Sequence, residues 1–317
     1  MGADPANTGI PLGELAGGLG LGLQIYAFVW GAVWGSFLNV VIHRMPLGAS
    51  LVYPPSACAS CGTRIRWFDN IPIISYLVLR GRCRVCGAGF SPRYMLVEIT
   101  CGVLSLALFR ALALPILTLD PLIDAAWQWL WLQTFIYALV AIAFIDLEHF
   151  YIPDEISIGG IIIGLAGAHF LPVESPGDHT LGMLAGAGFL GLVWVIGWLV
   201  YRREAMGLGD VKLLAMIGAF LGWKALPFVL FAAAVQALAA TLIARIYTAT
   251  TGKPAGFGMR TAELDAFFDE EDRYEDGGDH MAIPFGPFLA LGALEALFFG
   301  SDLLWQAADA INRLILG

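Results

Sequence analysis

Charge is scarce in this 317-residue chain: Asp, Glu, Lys and Arg make up 14% of it, against roughly 25% in ordinary soluble domains. Hydrophobic residues reach 58%. That balance excludes an ordinary cytoplasmic globule. Basic residues are the rarer kind, 17 against 26 acids for a formal net charge of -9, which gives nucleic-acid binding little support. The first 14 residues hold Asp4 and Glu14 but no Lys or Arg. They lack the basic start of a cleavable signal peptide, so the first span is expected to stay attached as an uncleaved insertion signal.

What the chain has in abundance is long apolar runs, near 17–42, 95–118, 127–145, 156–171, 180–200, 211–223, 226–244 and 283–299. Most approach the length needed to cross about 30 Å of hydrocarbon. Continuous runs of Leu, Ala and Ile do not carry the alternating polarity of barrel strands, so helices are expected. The reading is an all-α, polytopic membrane protein with about eight transmembrane helices. The run at 211–223 is short and could instead be partly re-entrant, although an even number of crossings favours a span.

The loops set the orientation. Residues 44–94 carry Arg44, Arg64, Arg66, Arg80, Arg82, Arg84 and Arg93 against Asp69 alone, which puts this segment on the cytoplasmic side. The short loops at 119–126 and 172–179 hold acids and no Lys or Arg, and fall outside by the same count. Four parts are expected: an N-terminal region and first span (1–46), a compact cytoplasmic insert (47–94), a transmembrane helical domain (95–299) and a short outward-facing tail (300–317). The loop at 250–280 holds nine acids, from Glu263 to Asp279, and reads as a solvated cytoplasmic insertion.

Four of the five cysteines lie in the insert. Cys58 and Cys61 form one C-x-x-C pair, Cys83 and Cys86 another, with 21 residues between the pairs. Two turns presenting two thiolates each give the closed tetrahedral shell of structural zinc, with no open position for catalysis. Zinc would also stabilise a segment too short to bury a large core. The alternative is two disulfides or unused thiols, against which a reducing cytoplasmic location weighs. Cys101 is expected to be a packing residue inside the second span.

Two aspartates stand at the inner ends of apolar runs. Asp146 closes the run that ends Ala143-Phe144-Ile145, and Asp210 ends Gly207-Leu208-Gly209-Asp210 just before the sixth run. The orientation count puts both on one side of the membrane despite 64 residues of separation. Two carboxylates sharing a proton can do acid and base work, one activating water while the other polarises a peptide carbonyl. Equally, the two could cap helices, pair with Arg202, Arg203 or Lys212, or serve transport. The residues alone leave both readings open.

Several ordered blocks narrow the choice. Gly35-Ser36-Phe37-Leu38-Asn39-Val40 with Arg44-Met45-Pro46 comes first. Asn70-Ile71-Pro72, Tyr76, Arg80-Gly81-Arg82-Cys83, Ser91-Pro92-Arg93-Tyr94 and Glu98 follow. Then come Ile145-Asp146-Leu147 through Ile152-Pro153-Asp154, Gly207-Leu208-Gly209-Asp210-Val211-Lys212, and Ile283-Pro284-Phe285-Gly286-Pro287-Phe288. In these blocks the chain resembles the bacterial type IV prepilin leader peptidases, bifunctional peptidases and N-methyltransferases of the GxGD membrane aspartic-protease class, over nearly all of 30–295. The resemblance implies an inner-membrane enzyme acting on prepilin or pseudopilin precursors. It would cleave after the leader's terminal Gly and methylate the new amino terminus with S-adenosyl-L-methionine. Asp146 and Asp210 carry over as the peptidase pair, and zinc on Cys58, Cys61, Cys83 and Cys86 as support for the insert.

Around that pair, Glu148 stands where the family commonly has Asp, Asp154 reads as supporting, and His149 as solvent-facing. Glu98 with Arg93 could bind substrate or methyl donor, or anchor the membrane interface. No Gly-rich strand-to-helix segment suggests a Rossmann methyl-donor site. Two other functions compete: a related GxGD protease for another signal or flagellin-like substrate, and a non-enzymatic transporter with a zinc-stabilised insert. The transporter would gain support from aspartates that line a continuous two-sided cavity far from each other.

Overall fold

A computed structural model describes residues 17–112, 119–171, 173, 175–202, 207–252 and 283–300. The acidic loop and the C-terminal tail, beyond their first residues, and Arg203 lie outside the described residues. The described residues are helical, without strands, as the apolar runs require. In chain order the helices are α1 (Gly17–Arg44), α2 (Ile74–Val78), α3 (Arg93–Leu112), α4 (Leu119–His149), α5 (Asp154–Phe170), α6 (Pro176–Tyr201), α7 (Leu208–Leu221), α8 (Leu226–Thr251) and α9 (Gly286–Phe299).

Five of them, α1, α3, α4, α6 and α8, are long and apolar enough to cross a membrane. The remaining three apolar helices are shorter, α5 with 17 residues and α7 and α9 with 14 each. At 1.5 Å per residue, 14 residues reach about 21 Å, less than the hydrocarbon thickness. The expected eight crossings are thus supported for five.

The chain forms two compact units, one from Met1–Ala141 with Ala166–Glu174, the other from Ile142–Leu165 with Ser175–Gly317. In the first, α1 and α3 cross closely because Gly31 and Gly35 leave room for the α3 backbone: a Cβ on Gly35 would stand 2.8 Å from Glu98 Cα. Ser105 ties three helices together. Its hydroxyl donates to the Ala27 carbonyl (2.6 Å) and accepts from Gln133 Nε2 (3.0 Å), while its carbonyl accepts from Trp129 Nε1 (3.3 Å). Such satisfied polar contacts substitute for the hydrophobic drive that lipid does not supply.

In the second unit α7 is the central helix. Residues Leu213 to Phe220 are all buried, the signature of a helix apolar on every side. Its backbone meets α6 at Gly182 and Gly218, and Gly186 faces the Leu214 carbonyl at 2.6 Å from an added Cβ. On another side Gly160 and Gly164 of α5 receive Met216 and Phe220. Burial by neighbours explains how so short a helix holds its place.

Candidate active site and four-cysteine cluster

The α4 helix ends at His149, one turn after Asp146, where Phe150 adopts a left-handed φ of 51° and donates its N–H to the Asp146 carbonyl (3.0 Å). Ile152 and Pro153 then lead into α5 at Asp154. This reversal leaves Asp146 buried at a helix C-terminus, where the dipole does not favour a carboxylate. The compensation comes from elsewhere in the same unit. Gly286, the first residue of α9, donates its N–H to Asp146 Oδ2 at 3.0 Å, using one of the amides a helix start leaves unpaired.

Asp210 lies within the first turn of α7, not ahead of it, because Gly207 in extended conformation already starts the helix and accepts the Asp210 N–H (3.3 Å). A helix N-terminus is a favourable place for a carboxylate. Ile152 fills the space between the flanking backbones: a Cβ on Gly209 would stand 2.9 Å from Ile152 Cβ, and one on Gly286 3.2 Å from Ile152 Cδ1.

Among the described residues no cation pairs with either aspartate. Lys212, two residues beyond Asp210, forms its ion pair with Asp154 at the start of α5. Arg202 stacks over Trp198 at 5.9 Å. The α9 start that bonds Asp146 and the turn that carries Asp210 thus both lie against Ile152, with a backbone donor on one aspartate.

Glu98 belongs to the first unit. Its carboxylate is buried, accepts the Ile73 N–H at 2.7 Å and is also bonded by the Ser36 side chain. Arg93 lies over the Tyr94 ring at 5.4 Å. Glu148 is exposed, and His149 is half-buried. Neither the Gly286 amide nor the Ile152 wedge was assigned from the sequence, although both lie within the blocks quoted above.

In the insert the two C-x-x-C-Gly segments fold alike. The Cys58 N–H donates to Thr63 (2.9 Å) and Gly62 returns its N–H to Cys58 (2.8 Å); Cys83 and Ala88 (2.8 Å), and Gly87 and Cys83 (3.0 Å), repeat the pattern. Gly62 and Gly87 take the left-handed φ of 69° and 73° that closes each turn. The four sulfurs lie within 4.8 Å of one another, with Cys58 to Cys86 at 3.7 Å and Cys61 to Cys83 at 4.0 Å. A tetrahedral shell with 2.3 Å metal–sulfur bonds has edges of about 3.8 Å, so the cluster could hold a metal ion.

The thiols do not titrate alike. The Thr63 hydroxyl and backbone draw Cys61 down to about 6. At Cys86 an Ala88 backbone bond draws the thiol down, but burial and the three neighbouring thiols outweigh it and push it up to about 11. Four thiolates this close need a cation. Nearby, the Arg84 guanidinium bonds Asp69 at 2.5 to 3.0 Å and holds its carboxyl below the usual range.

Comparison with known proteins gives the family. Residues 29–112 match the bacterial peptidase A24 N-terminal domain, and residues 133–242 the type IV leader peptidase family. A prepilin leader peptidase/N-methyltransferase of Myxococcus xanthus (strain DK1622) is 36% identical, covering 90% of this chain and 93% of that protein. The chain belongs to the type IV leader peptidase family. Peptidases of the same description from Stutzerimonas stutzeri and Aeromonas hydrophila are each 33% identical, over 89% and 92% of this chain and 93% and 95% of theirs. No solved structure matches it significantly. The two matched segments divide the features above, the four cysteines and Glu98 falling in the first and both aspartates in the second. The resemblance read from the sequence blocks is borne out, and with it the placing of this leader peptidase in a membrane.

Proposed function

We propose that this leader peptidase is an inner-membrane aspartic endopeptidase that removes the leader of type IV prepilins or type II secretion pseudopilins after Gly. It then methylates the new amino terminus, with S-adenosyl-L-methionine as donor. Asp146 and Asp210 form the peptidase pair, on the cytoplasmic side. The observation that supports the assignment is Ile152, which lies against both Gly209, next to Asp210, and Gly286, whose N–H bonds Asp146. One carboxylate, ionised, takes a proton from water as the oxygen attacks the scissile carbonyl carbon. The other, protonated, polarises the carbonyl oxygen; the C–N bond then breaks and the released amine takes up the proton. The pair acts as a unit, so neither member carries a fixed label.

Zinc on Cys58, Cys61, Cys83 and Cys86 would hold the insert together. Within 47–94 the single buried apolar side chain is Cys58 itself, too little core to fold without a metal. Cleavage of a labelled prepilin by the reconstituted protein tests the pair. Asp146→Asn and Asp210→Asn, each with its zinc content intact, are expected to lose about 1,000-fold or more in kcat. Near-normal cleavage by either would overturn the assignment. Supplying precleaved substrate with labelled methyl donor to the same variants reads methyl transfer separately.

A further inference from the structure

The insert carries an apolar face that its own fold does not cover. On α2, Ile74 is 58% exposed, Leu77 60% and Val78 68%, three neighbours at i, i+3 and i+4, while Ser75, turned away from Ile74 and Leu77, is 9% exposed. Tyr76 packs back on Gly81, so the helix presents one side to its own insert and the other outward.

The depth of α2 is fixed by α3. The Ile73 N–H reaches the Glu98 carboxylate at 2.7 Å, and Glu98 lies five residues inside a 20-residue span that begins at Arg93. Five residues are about 7.5 Å along a helix, so the chain before α2 returns to the edge of the hydrocarbon. The neighbouring helix gives the same level: Asn39, five residues before the end of α1, donates to the Tyr94 carbonyl at 3.0 Å. Ile73 holds φ at 63°, a conformation a β-branched residue adopts only under constraint. Arg80 and Arg82 follow α2 directly, both exposed.

We propose that α2 is an interfacial anchor, its Ile74, Leu77 and Val78 side chains lying in the acyl boundary of the leaflet that borders the insert, with Arg80 and Arg82 on anionic lipid phosphates. Apolar side chains backed by guanidiniums fit that boundary. The same arginines disfavour the competing occupant, the basic leader of a prepilin. The buried Glu98 then serves to fix the depth of the insert.

The test uses the full-length, zinc-loaded protein in bilayer nanodiscs, with a fluorescent amino acid at position 77, in a second sample at 78, and at exposed Ala59 for comparison. Lipids brominated in their acyl chains are expected to quench positions 77 and 78 at least threefold more than aqueous iodide does. Replacing the anionic lipids with neutral ones, or introducing Arg80→Gln with Arg82→Gln, should reduce that ratio. Iodide quenching at 77 and 78 equal to that at 59 would overturn the proposal. So would iodide protection that develops only when an uncleaved prepilin is added, which would make the face a substrate surface.

Discussion

Gly286→Ala separates geometry from chemistry in this protein. A Cβ on residue 286 would stand 2.5 Å from Asp146 Oδ2 and 3.2 Å from its Cγ, where ordinary contacts begin near 3.4 Å, so the carboxylate must retreat by roughly 0.9 Å. The obstacle is the free end of a side chain, which yields by rotating, and the stability cost should stay near about 1 kcal/mol. Function should suffer far more, because a misplacement of about 1 Å at a reacting group costs on the order of 100-fold in rate. Gly292→Ala in the same helix is the counterpart. Its Cβ would meet the Val229 backbone carbonyl at 2.9 Å, an obstacle that cannot rotate away, so a loss of about 1–3 kcal/mol is expected with kcat nearly unchanged. Prepilin cleavage at saturating substrate, with thermal unfolding in detergent, reads both quantities. Near-normal kcat in Gly286→Ala, or equal catalytic losses in the two variants, would refute a role for the Gly286 amide on Asp146.

The two glycines of the Gly-x-Gly-Asp segment should not behave alike. Ala at 209 meets Ile152 Cβ at 2.9 Å whereas Ala at 207 meets nothing nearer than 3.9 Å, so cleavage should fall at least about 10-fold in the first and stay within about 3-fold in the second. Metal analysis should return one zinc per chain, and Cys58→Ser or Cys83→Ser should release it and open the 47–94 insert to protease while α6 to α9 stay resistant. Asp69→Asn tests the Arg84 ion pair through pH. Its carboxyl titrates lower folded than unfolded, so its stabilisation is present above the unfolded value of about 3.9 and is lost as pH falls through the folded one. In the zinc-loaded protein the variant's insert should open to protease at a lower temperature than the parent's at pH 7, a gap that closes as pH falls; equal sensitivity at pH 7 would count against the pair.

Much of the helical plan was legible because lipid demands continuous apolar runs, yet the ends of the helices obeyed other rules. The run at 226–244 extends as α8 to Thr251, since Ala-Arg-Ile-Tyr-Thr is compatible with helix beyond the hydrocarbon and Gly252, at φ 65°, supplies the stop. The start of α5 at Asp154 follows directly from Pro153. The paired cysteines were legible from spacing alone, and their sulfurs do converge. Contacts made by backbone amides were not. The Gly286 and Ile73 N–H groups reach Asp146 and Glu98 across 140 and 25 residues, and an amide donor has no signature in the identity of its residue.

Those amides belong to a contrast seen at six carboxylates of the described residues. Carboxylates outside the packed core take cations: Asp69 pairs with Arg84, Asp154 with Lys212 and Asp178 with Lys224. Three among the packed helices take neutral donors instead, Asp146 from the Gly286 N–H, Glu98 from the Ile73 N–H and Glu295 from the Gln236 side-chain amide at 2.8 Å. Burying a full ion pair costs more desolvation than its attraction returns unless every remaining bond is satisfied, which favours a dipole over a charge inside the bundle. The choice has a chemical consequence at Asp146. A cation there would favour the ionised carboxylate, whereas a neutral amide orients it and leaves room for the proton exchange proposed for the pair. The low charge of the chain is thus a property its proposed chemistry uses.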